Sequence, residues 1–194
     1  MDDGSSDGSG QIAQAAGARV YRHLINRGLG GALATGIQAA IRAGAEYIVT
    51  FDADGQHEAK DILRIIEPLE KGVADVVVGS RMLVRDKTQP RMPLRRRLYN
   101  AIGNRITLFM FGLQTSDSQS GLREFTRQAA RTLHLQSNRM EVSTEIMYEV
   151  KRHAFRLSEV PIAAIYTEYS MSKGQSFGEG VRTFFRLLLL RLLK

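Results

Sequence analysis

The chain has 194 residues, 43% of them hydrophobic and 24% charged, a size and composition that suit one globular domain with its own core. It contains no cysteine, which excludes disulfides and thiolate metal sites. Its net charge of +7 is concentrated: residues 1–80 hold 7 basic and 11 acidic side chains, whereas residues 81–105 hold 8 basic ones (Arg81, Arg85, Lys87, Arg91, Arg95, Arg96, Arg97, Arg105) against Asp86. Such a patch attracts phosphates, whether on a nucleotide, a nucleic acid or an anionic membrane.

In chain order, a Gly/Ser/Asp stretch precedes a short helix expected over Gln11–Ala16. Arg19–Leu24 reads as a short strand and Asn26–Gly31 as a glycine-rich turn. Ala32–Ala43 is alanine-rich and helical, and Gly44 can end it. Tyr47–Phe51 is an apolar, β-branched run, predicted as a buried strand that ends at Asp52. Apolar residues at 62, 63, 65, 66 and 69 give Ala59–Leu69 helical spacing. Val73–Val78 reads as a second buried strand, followed by a long basic loop that contains Pro90 and Pro93. Helices are expected over Leu98–Phe111, Glu124–Leu133 and Glu141–His153. A late strand is expected over Leu157–Tyr166, with Pro161 at an edge or bulge, and the tail from Phe177 reads as helical.

Strands separated by helices predict an α/β fold with a mostly parallel central sheet flanked by helices. Ligands of such sheets bind beyond the carboxyl ends of the strands. Asp2-Asp3, Asp52-Ala53-Asp54 and Gly79-Ser80-Arg81 all fall where a strand ends or would end.

Asp52 and Asp54 flank one residue, and in extended backbone such a pair points to one side. Both carboxylates can then share a divalent cation. Hard oxygen donors suit Mg²⁺ or Mn²⁺, which keep positions open for substrate phosphates. Gln56, one further step of two, offers a neutral oxygen, and His57 a nitrogen or a packing surface. Two other readings attach to the same residues. One is a plain polar turn. The other is a phosphatase in which the first Asp is a nucleophile and the second a general acid, a reading weakened by Gln56 and by the mid-chain position.

Taken together, Asp2-Asp3-Gly4-Ser5-Ser6-Asp7-Gly8-Ser9, Asn26-Arg27-Gly28-Leu29-Gly30, Asp52-Ala53-Asp54-Gly55-Gln56-His57 and Gly79-Ser80-Arg81 resemble family-2 glycosyltransferases with the GT-A (nucleotide-diphospho-sugar transferase) fold. Asp117-Ser118-Gln119-Ser120-Gly121-Leu122-Arg123, Glu141-Val142-Ser143-Thr144-Glu145 and Ser172-Lys173-Gly174-Gln175-Ser176 narrow the resemblance to dolichyl- or polyprenyl-phosphate sugar synthases. The resemblance implies a role for each matching residue. Asp2 and Asp3 lie by the nucleotide base and ribose, and Arg27 and Gly28 lie in the loop beside the nucleotide. Asp52, Asp54 and Gln56 hold the Mg²⁺ or Mn²⁺ and the diphosphate, with Asp52, Asp54 and Arg81 catalytic. Arg81 and Arg95, one of the Arg95–Arg97 run, receive the acceptor's phosphate, as the planar guanidinium fork matches phosphate oxygens. Lys173 joins them from a basic C-terminal loop that closes over the diphosphate.

The activity so implied is metal-dependent, inverting transfer of a hexose from a GDP- or UDP-sugar to a polyprenyl or dolichyl phosphate. An ionised lipid phosphate needs no strong general base; for a hydroxyl acceptor Asp117 is the candidate base. Relatives carry a strand, loop and helix before the Asp-Asp-Gly-Ser motif, so the reading is a truncated GT-A catalytic domain over residues 1–166 with its first strand absent. Residues 167–194 form a basic loop and an apolar/basic C-terminal helix. That tail is too short to span a bilayer, which takes about 20 apolar residues, but suits the membrane interface, or packing against another subunit or the absent N-terminal segment. The expected location is peripheral, at the cytoplasmic face of a membrane, with oligomerisation left open. The alternative is an inactive remnant that binds only a membrane or a partner. Nucleic acid is not expected as a partner, because Tyr99 is the one aromatic residue within the basic patch.

Overall fold

The computed structural model of the chain describes residues 1–84, 92–163 and 165. Its elements are α1 (Ser9–Ala15), α2 (Leu29–Arg42), β1 (Tyr47–Thr50), α3 (Asp61–Glu70), β2 (Val76–Ser80), α4 (Leu94–Phe111), β3 (Arg123–Thr126), α5 (Arg127–Thr132), α6 (Val142–Arg152) and β4 (Leu157–Pro161). Local chemistry sets several boundaries. Pro93, with its fixed φ and no N–H to leave unpaired, precedes α4, and Gly112 closes that helix in the left-handed region at φ 63°. The Thr126 hydroxyl accepts from the Ala129 N–H at 3.2 Å and caps α5.

The four strands form one sheet in the order β1-β3-β2-β4. β3 runs antiparallel to both β1 and β2, and β2 pairs in parallel with β4. Three strands therefore share a direction, as the strand–helix alternation implies, while β3 is inserted between two of them in the opposite sense. The sheet is mixed. Arg123–Thr126 departs from the helix expected over Glu124–Leu133. Its register sets Phe125 opposite both Ile48 and Val76, and this tertiary pairing overrides the local pattern up to the Thr126 cap. Arg19–Leu24 is not a strand of the sheet. It makes one isolated bridge, Asp2 with Arg22, through Asp2 N–H to Tyr21 O at 2.8 Å and His23 N–H to Asp2 O at 2.9 Å.

Each sheet face has its own core. Ile48, Val76, Val78 and Phe125 pack with Ile37 of α2, Ala129 and Ala130 of α5, and Val142, Ile146, Met147 and Val150 of α6. On the other face Val77 and Leu122 pack with Ile65 and Leu69 of α3 and with Ile162. Burial of each such large side chain stabilises the fold by about 1.5–3 kcal/mol before entropy is counted. The two cores fix the carboxyl ends of β1 and β2 side by side across β3, and the predicted polar clusters begin there.

Candidate active site

β1 delivers Asp52. The Thr50 hydroxyl at its end donates to the Gly121 carbonyl at 2.8 Å and so fastens the loop before β3 to the strand. Asp52 then lies over Gly121 so closely that a Cβ on that glycine would fall 1.9 Å from Asp52 Oδ2. The Asp52 side chain is 44% exposed, with His57 Nε2 at 4.0 Å. His57 is buried against the Phe51 ring, and its Nδ1 has no partner among the described residues. Burial pushes the imidazole below its ordinary pKa, against the pull of Asp52, so it is neutral at pH 7. A neutral ring buttresses Asp52 without neutralising it.

Asp54 is exposed. Its carboxylate accepts from the Gln56 N–H at 3.0 Å and from the Gln56 side-chain amide. The Gln56 Oε1 in turn accepts from Arg96 Nη1 at 3.1 Å. The structure therefore brings Asp54, Gln56 and Arg96 together, with the Gln56 oxygen turned to a guanidinium. No cluster of three or more acidic or histidine ligands occurs among the described residues. The solvent-exposed carboxylates here are those of Asp52 and Asp54. That set fits Mg²⁺ or Mn²⁺, which bind through one or two carboxylates and complete their shell with water and substrate phosphates. It does not fit a closed all-protein cage.

β2 delivers Arg81. Asp117, fully buried, grips it twice: Arg81 Nε donates to Oδ2 at 2.7 Å and Nη2 to Oδ1 at 2.8 Å, while the Arg81 backbone N–H reaches Oδ2 at 3.0 Å. Asn100 Nδ2 of α4 adds a bond to Oδ1 at 2.9 Å. This corrects the reading of Asp117 as a candidate base. Its oxygens are taken up by four donor contacts, and no substrate hydroxyl can reach a carboxylate with no exposed surface. Arg123 is buried beneath the same loop, with Nη2 donating to Ser118 O at 2.9 Å. Burial lowers its pKa to about 10, against the fields of Asp52 and Asp117, so it stays charged at pH 7. It is a fixed cation under a site of two carboxylates.

The N-terminal acids are engaged with the chain itself. Asp3 Oδ1 accepts from the Arg27 N–H at 2.9 Å and pairs with His23 Nδ1 at 2.6 Å, while Oδ2 accepts from the Gly28 N–H at 2.7 Å. Partial burial pushes the Asp3 pKa up, but His23 and the two N–H groups outweigh it and hold the carboxyl below its ordinary range. Asp2 accepts from the Ser5 N–H at 2.8 Å, which lowers its pKa too, and pairs with Arg22 at 3.3 Å. The close backbone approach that the glycines allow is internal. A Cβ at Gly28 would fall 2.3 Å from Asn138 O, and one at Gly30 would fall 1.8 Å from Ser137 O. Asp2, Asp3, Arg27 and Gly28 thus form one bonded cluster. The side chain of Arg95, and Lys173 with residues 167–194, lie outside the described residues.

Sequence reasoning missed Gly121 as the seat of Asp52, Asn100 as the second partner of Asp117, and Arg123 as the buried cation. The signal lay in Asp117-Ser118-Gln119-Ser120-Gly121-Leu122-Arg123, whose spacing puts an anchor and a glycine on one loop and a cation at the start of the strand that follows it.

Residues 1–133 match the profile of Glycosyl transferase family 2. An uncharacterised protein of Methanocaldococcus jannaschii is 44% identical over 194 residues, spanning 99% of this chain and 79% of that one. The UDP-N-acetylglucosamine–dolichyl-phosphate N-acetylglucosaminyltransferase of Methanococcus voltae is 41% identical over 173 residues, 88% of this chain and 68% of that one. Among solved structures, glucosyl-3-phosphoglycerate synthase from Mycobacterium tuberculosis, in complex with Mn²⁺, UDP and glucosyl-3-phosphoglycerate, superposes with a TM-score of 0.67 at 18% identity, over 98% of this chain and 67% of that one. The GT-A fold is thereby shared, and the chain belongs to glycosyltransferase family 2, related to the dolichyl-phosphate sugar transferases.

Proposed function

We propose that the chain transfers a hexose from a nucleoside diphosphate sugar to a polyprenyl or dolichyl phosphate, inverting the anomeric centre. The observation that carries this reading is the pairing of two chemistries at adjacent strand ends. Exposed carboxylates stand after β1, and a guanidinium held by a buried carboxylate stands after β2. The first suits a metal-bound diphosphate and the second a phosphate monoanion or dianion. The names of the M. voltae and M. tuberculosis proteins, one acting on dolichyl phosphate and the other holding Mn²⁺ with UDP, support the same pairing.

A bound Mg²⁺ or Mn²⁺ stabilises the charge that develops on the leaving diphosphate. Asp52 and Asp54 hold that cation, and Asp54 keeps Gln56 and Arg96 beside it. Arg81 orients the acceptor phosphate, with Arg95 and Lys173 as its further cations. Asp2, Asp3, Arg27 and Gly28 form the wall toward the nucleoside. No base is needed, because the attacking phosphate is already ionised at pH 7. The acceptor places the reaction at a membrane surface, on its cytoplasmic face. No helix among the described residues is long and apolar enough to cross a membrane.

Calorimetric titration of UDP-N-acetylglucosamine and of GDP-mannose, with and without Mn²⁺, tests the donor half of this reading on the chain and on Asp54→Ala. Metal-dependent binding that vanishes in the variant is expected, and the stronger ligand identifies the nucleotide. A folded chain that binds neither sugar nucleotide would overturn the reading and favour a remnant without catalytic function.

A further inference from the structure

Behind the Arg81–Asp117 pair stands another carboxylate, which the reading above does not use. Glu159 lies half-buried in β4, in register with Val78 of β2. Its Oε1 accepts from the Thr115 hydroxyl at 2.8 Å, from the Ser116 N–H at 2.8 Å and from the Ser116 hydroxyl at 2.9 Å. Oε2 shares the Ser116 N–H at 3.1 Å. A carboxylate can only accept, so the Ser116 hydroxyl donates its proton to Glu159. The Ser80 hydroxyl, 2.6 Å from that of Ser116, must then donate to it, and the Ser80 oxygen accepts from the Met82 N–H at 3.2 Å. The charged end thus sets the direction of the whole chain, from Met82 through Ser80 and Ser116 to Glu159. It grips the residues on both sides of Arg81 and the two residues before Asp117. From the other side, Asn104 of α4 donates to Ser116 O at 2.6 Å and accepts from the Ser118 N–H at 2.9 Å.

We propose that Glu159 is a positioning residue for the acceptor phosphate: through Ser116 and Ser80 it fixes the place from which Arg81 meets that phosphate. The proposal rests on the lipid-phosphate reading above and adds a residue that never touches the substrate. The Arg81 side chain is only 16% exposed, so a small displacement decides whether its guanidinium reaches a phosphate or is withdrawn. Asp117 sets the orientation of Arg81, but an ion pair fixes its two partners only relative to each other. Where the pair stands depends on the backbone beneath it, at residues 80–82 and 115–117. Side chains join these two stretches: the Ser80–Ser116 hydroxyl contact, and the Asp117 carboxylate that takes the Arg81 N–H and guanidinium. Hydrogen bonds to an ionised acceptor are roughly twice as strong as neutral ones, and a chain of hydroxyls that ends on a charge is polarised along its length. A carboxylate at position 159 therefore holds this junction more firmly than an amide of the same shape.

Two variants of the full chain test this by separate routes. Glu159→Gln keeps the shape and removes the charge, while Ser116→Ala cuts the hydroxyl link and spares the Ser116 N–H bond. In heteronuclear NMR the Arg81 Nε–H, bonded to Asp117 at 2.7 Å, is expected to exchange slowly with solvent in the wild type. In either variant it should exchange at least about tenfold faster, as the pair opens more often. Affinity for farnesyl phosphate, a soluble probe that carries the acceptor's phosphate, should fall about tenfold, the order of one lost hydrogen bond to a charged group. Mn²⁺-dependent donor binding should stay unchanged. Asp75→Asn breaks the bond to Arg156 at 2.8 Å, at the opposite ends of β2 and β4, and as the control leaves Arg81 exchange and farnesyl phosphate affinity at their wild-type values. Unchanged Arg81 exchange in both variants would overturn the proposal, as would unchanged farnesyl phosphate affinity in a chain that binds it. An equal fall in donor and farnesyl phosphate binding would also overturn it, since Glu159 would then support the fold as a whole. A wild-type chain that binds no farnesyl phosphate, yet loses Arg81 protection in the variants, would keep the hold of Glu159 on Arg81 and sink only the lipid-phosphate reading.

Discussion

Asp52 occupies space that any side chain on residue 121 would need. A Cβ there would fall 1.9 Å from Oδ2 and 2.5 Å from Cγ, far inside contact distance. Asp52 is half exposed and free to swing outward, so Gly121→Ala is expected to leave the fold intact and to displace the carboxylate. Metal-dependent donor binding should fall at least tenfold, roughly the loss of one charge-assisted contact of 1.5–3 kcal/mol. The thermal midpoint should move by only a few degrees. Mn²⁺-dependent calorimetry beside a melting curve checks both halves, and unchanged binding would show that Asp52 holds no cation. At this scale the sequence was partly legible. Asp52 and Asp54 announce themselves by a spacing of two after an apolar strand. Gly121 does not, because its role depends on a residue 69 positions earlier that only the folded sheet brings alongside.

β3 carries the least expected chemistry of any element. Glu124 sits opposite Val49 and Val77, which belong to the core beneath α3, and both of its carboxylate oxygens are buried without a partner among the described residues. Burial raises its pKa to about 7, helped by Glu70. Glu70 and Tyr47 are the titratable groups that share its field, and neither offers a positive charge. In the unfolded chain the same group titrates near 4.5. Between those values the folded state binds more proton than the unfolded one, so stability falls as pH rises from about 4.5 to about 7 and then levels off. Glu124→Gln should remove that slope and leave the protein more stable than the wild type above about pH 7, as read from denaturant unfolding across the range. A wild-type slope that survives the substitution would assign it elsewhere. β3 was illegible from sequence for a related reason. Four residues with one glutamate do not read as a buried strand, and only pairing with β1 and β2 makes them one.

Taken whole, the molecule is tied at Asp117. Its carboxylate joins Arg81 after β2 to Asn100 on α4, so a strand end, a helix and the loop that follows it meet at one charge. Removal of one partner from a buried ion pair costs about 3–5 kcal/mol, and Asp117→Asn, which keeps the shape but not the charge, should lie near the lower end, at about 3 kcal/mol. Because Arg81 also loses its orientation, the KM for a polyprenyl phosphate acceptor should rise while Mn²⁺-dependent donor affinity holds. A matching loss of both would mark the residue as structural only. The overall class was readable in advance, since strand–helix alternation and polar clusters at strand ends are patterns of period and order. The sense of β3 was not, because the order of elements does not give the direction in which a strand runs.

The strand order also bears on how the chain is made. β1 and β2 are not neighbours; the strand that joins them is β3, and β4 comes later still. As the chain emerges from a ribosome, Val76–Ser80, whose every residue is buried in the finished fold, has no strand to pair with until Thr126 has followed. At ~5–20 residues per second that interval lasts several seconds. α3 is already available to cover one face of β2, but both edges stay open throughout. The nascent protein therefore passes through a period of exposed, valine-rich edge, and its yield in a cell depends on what shields that strand before its neighbour arrives.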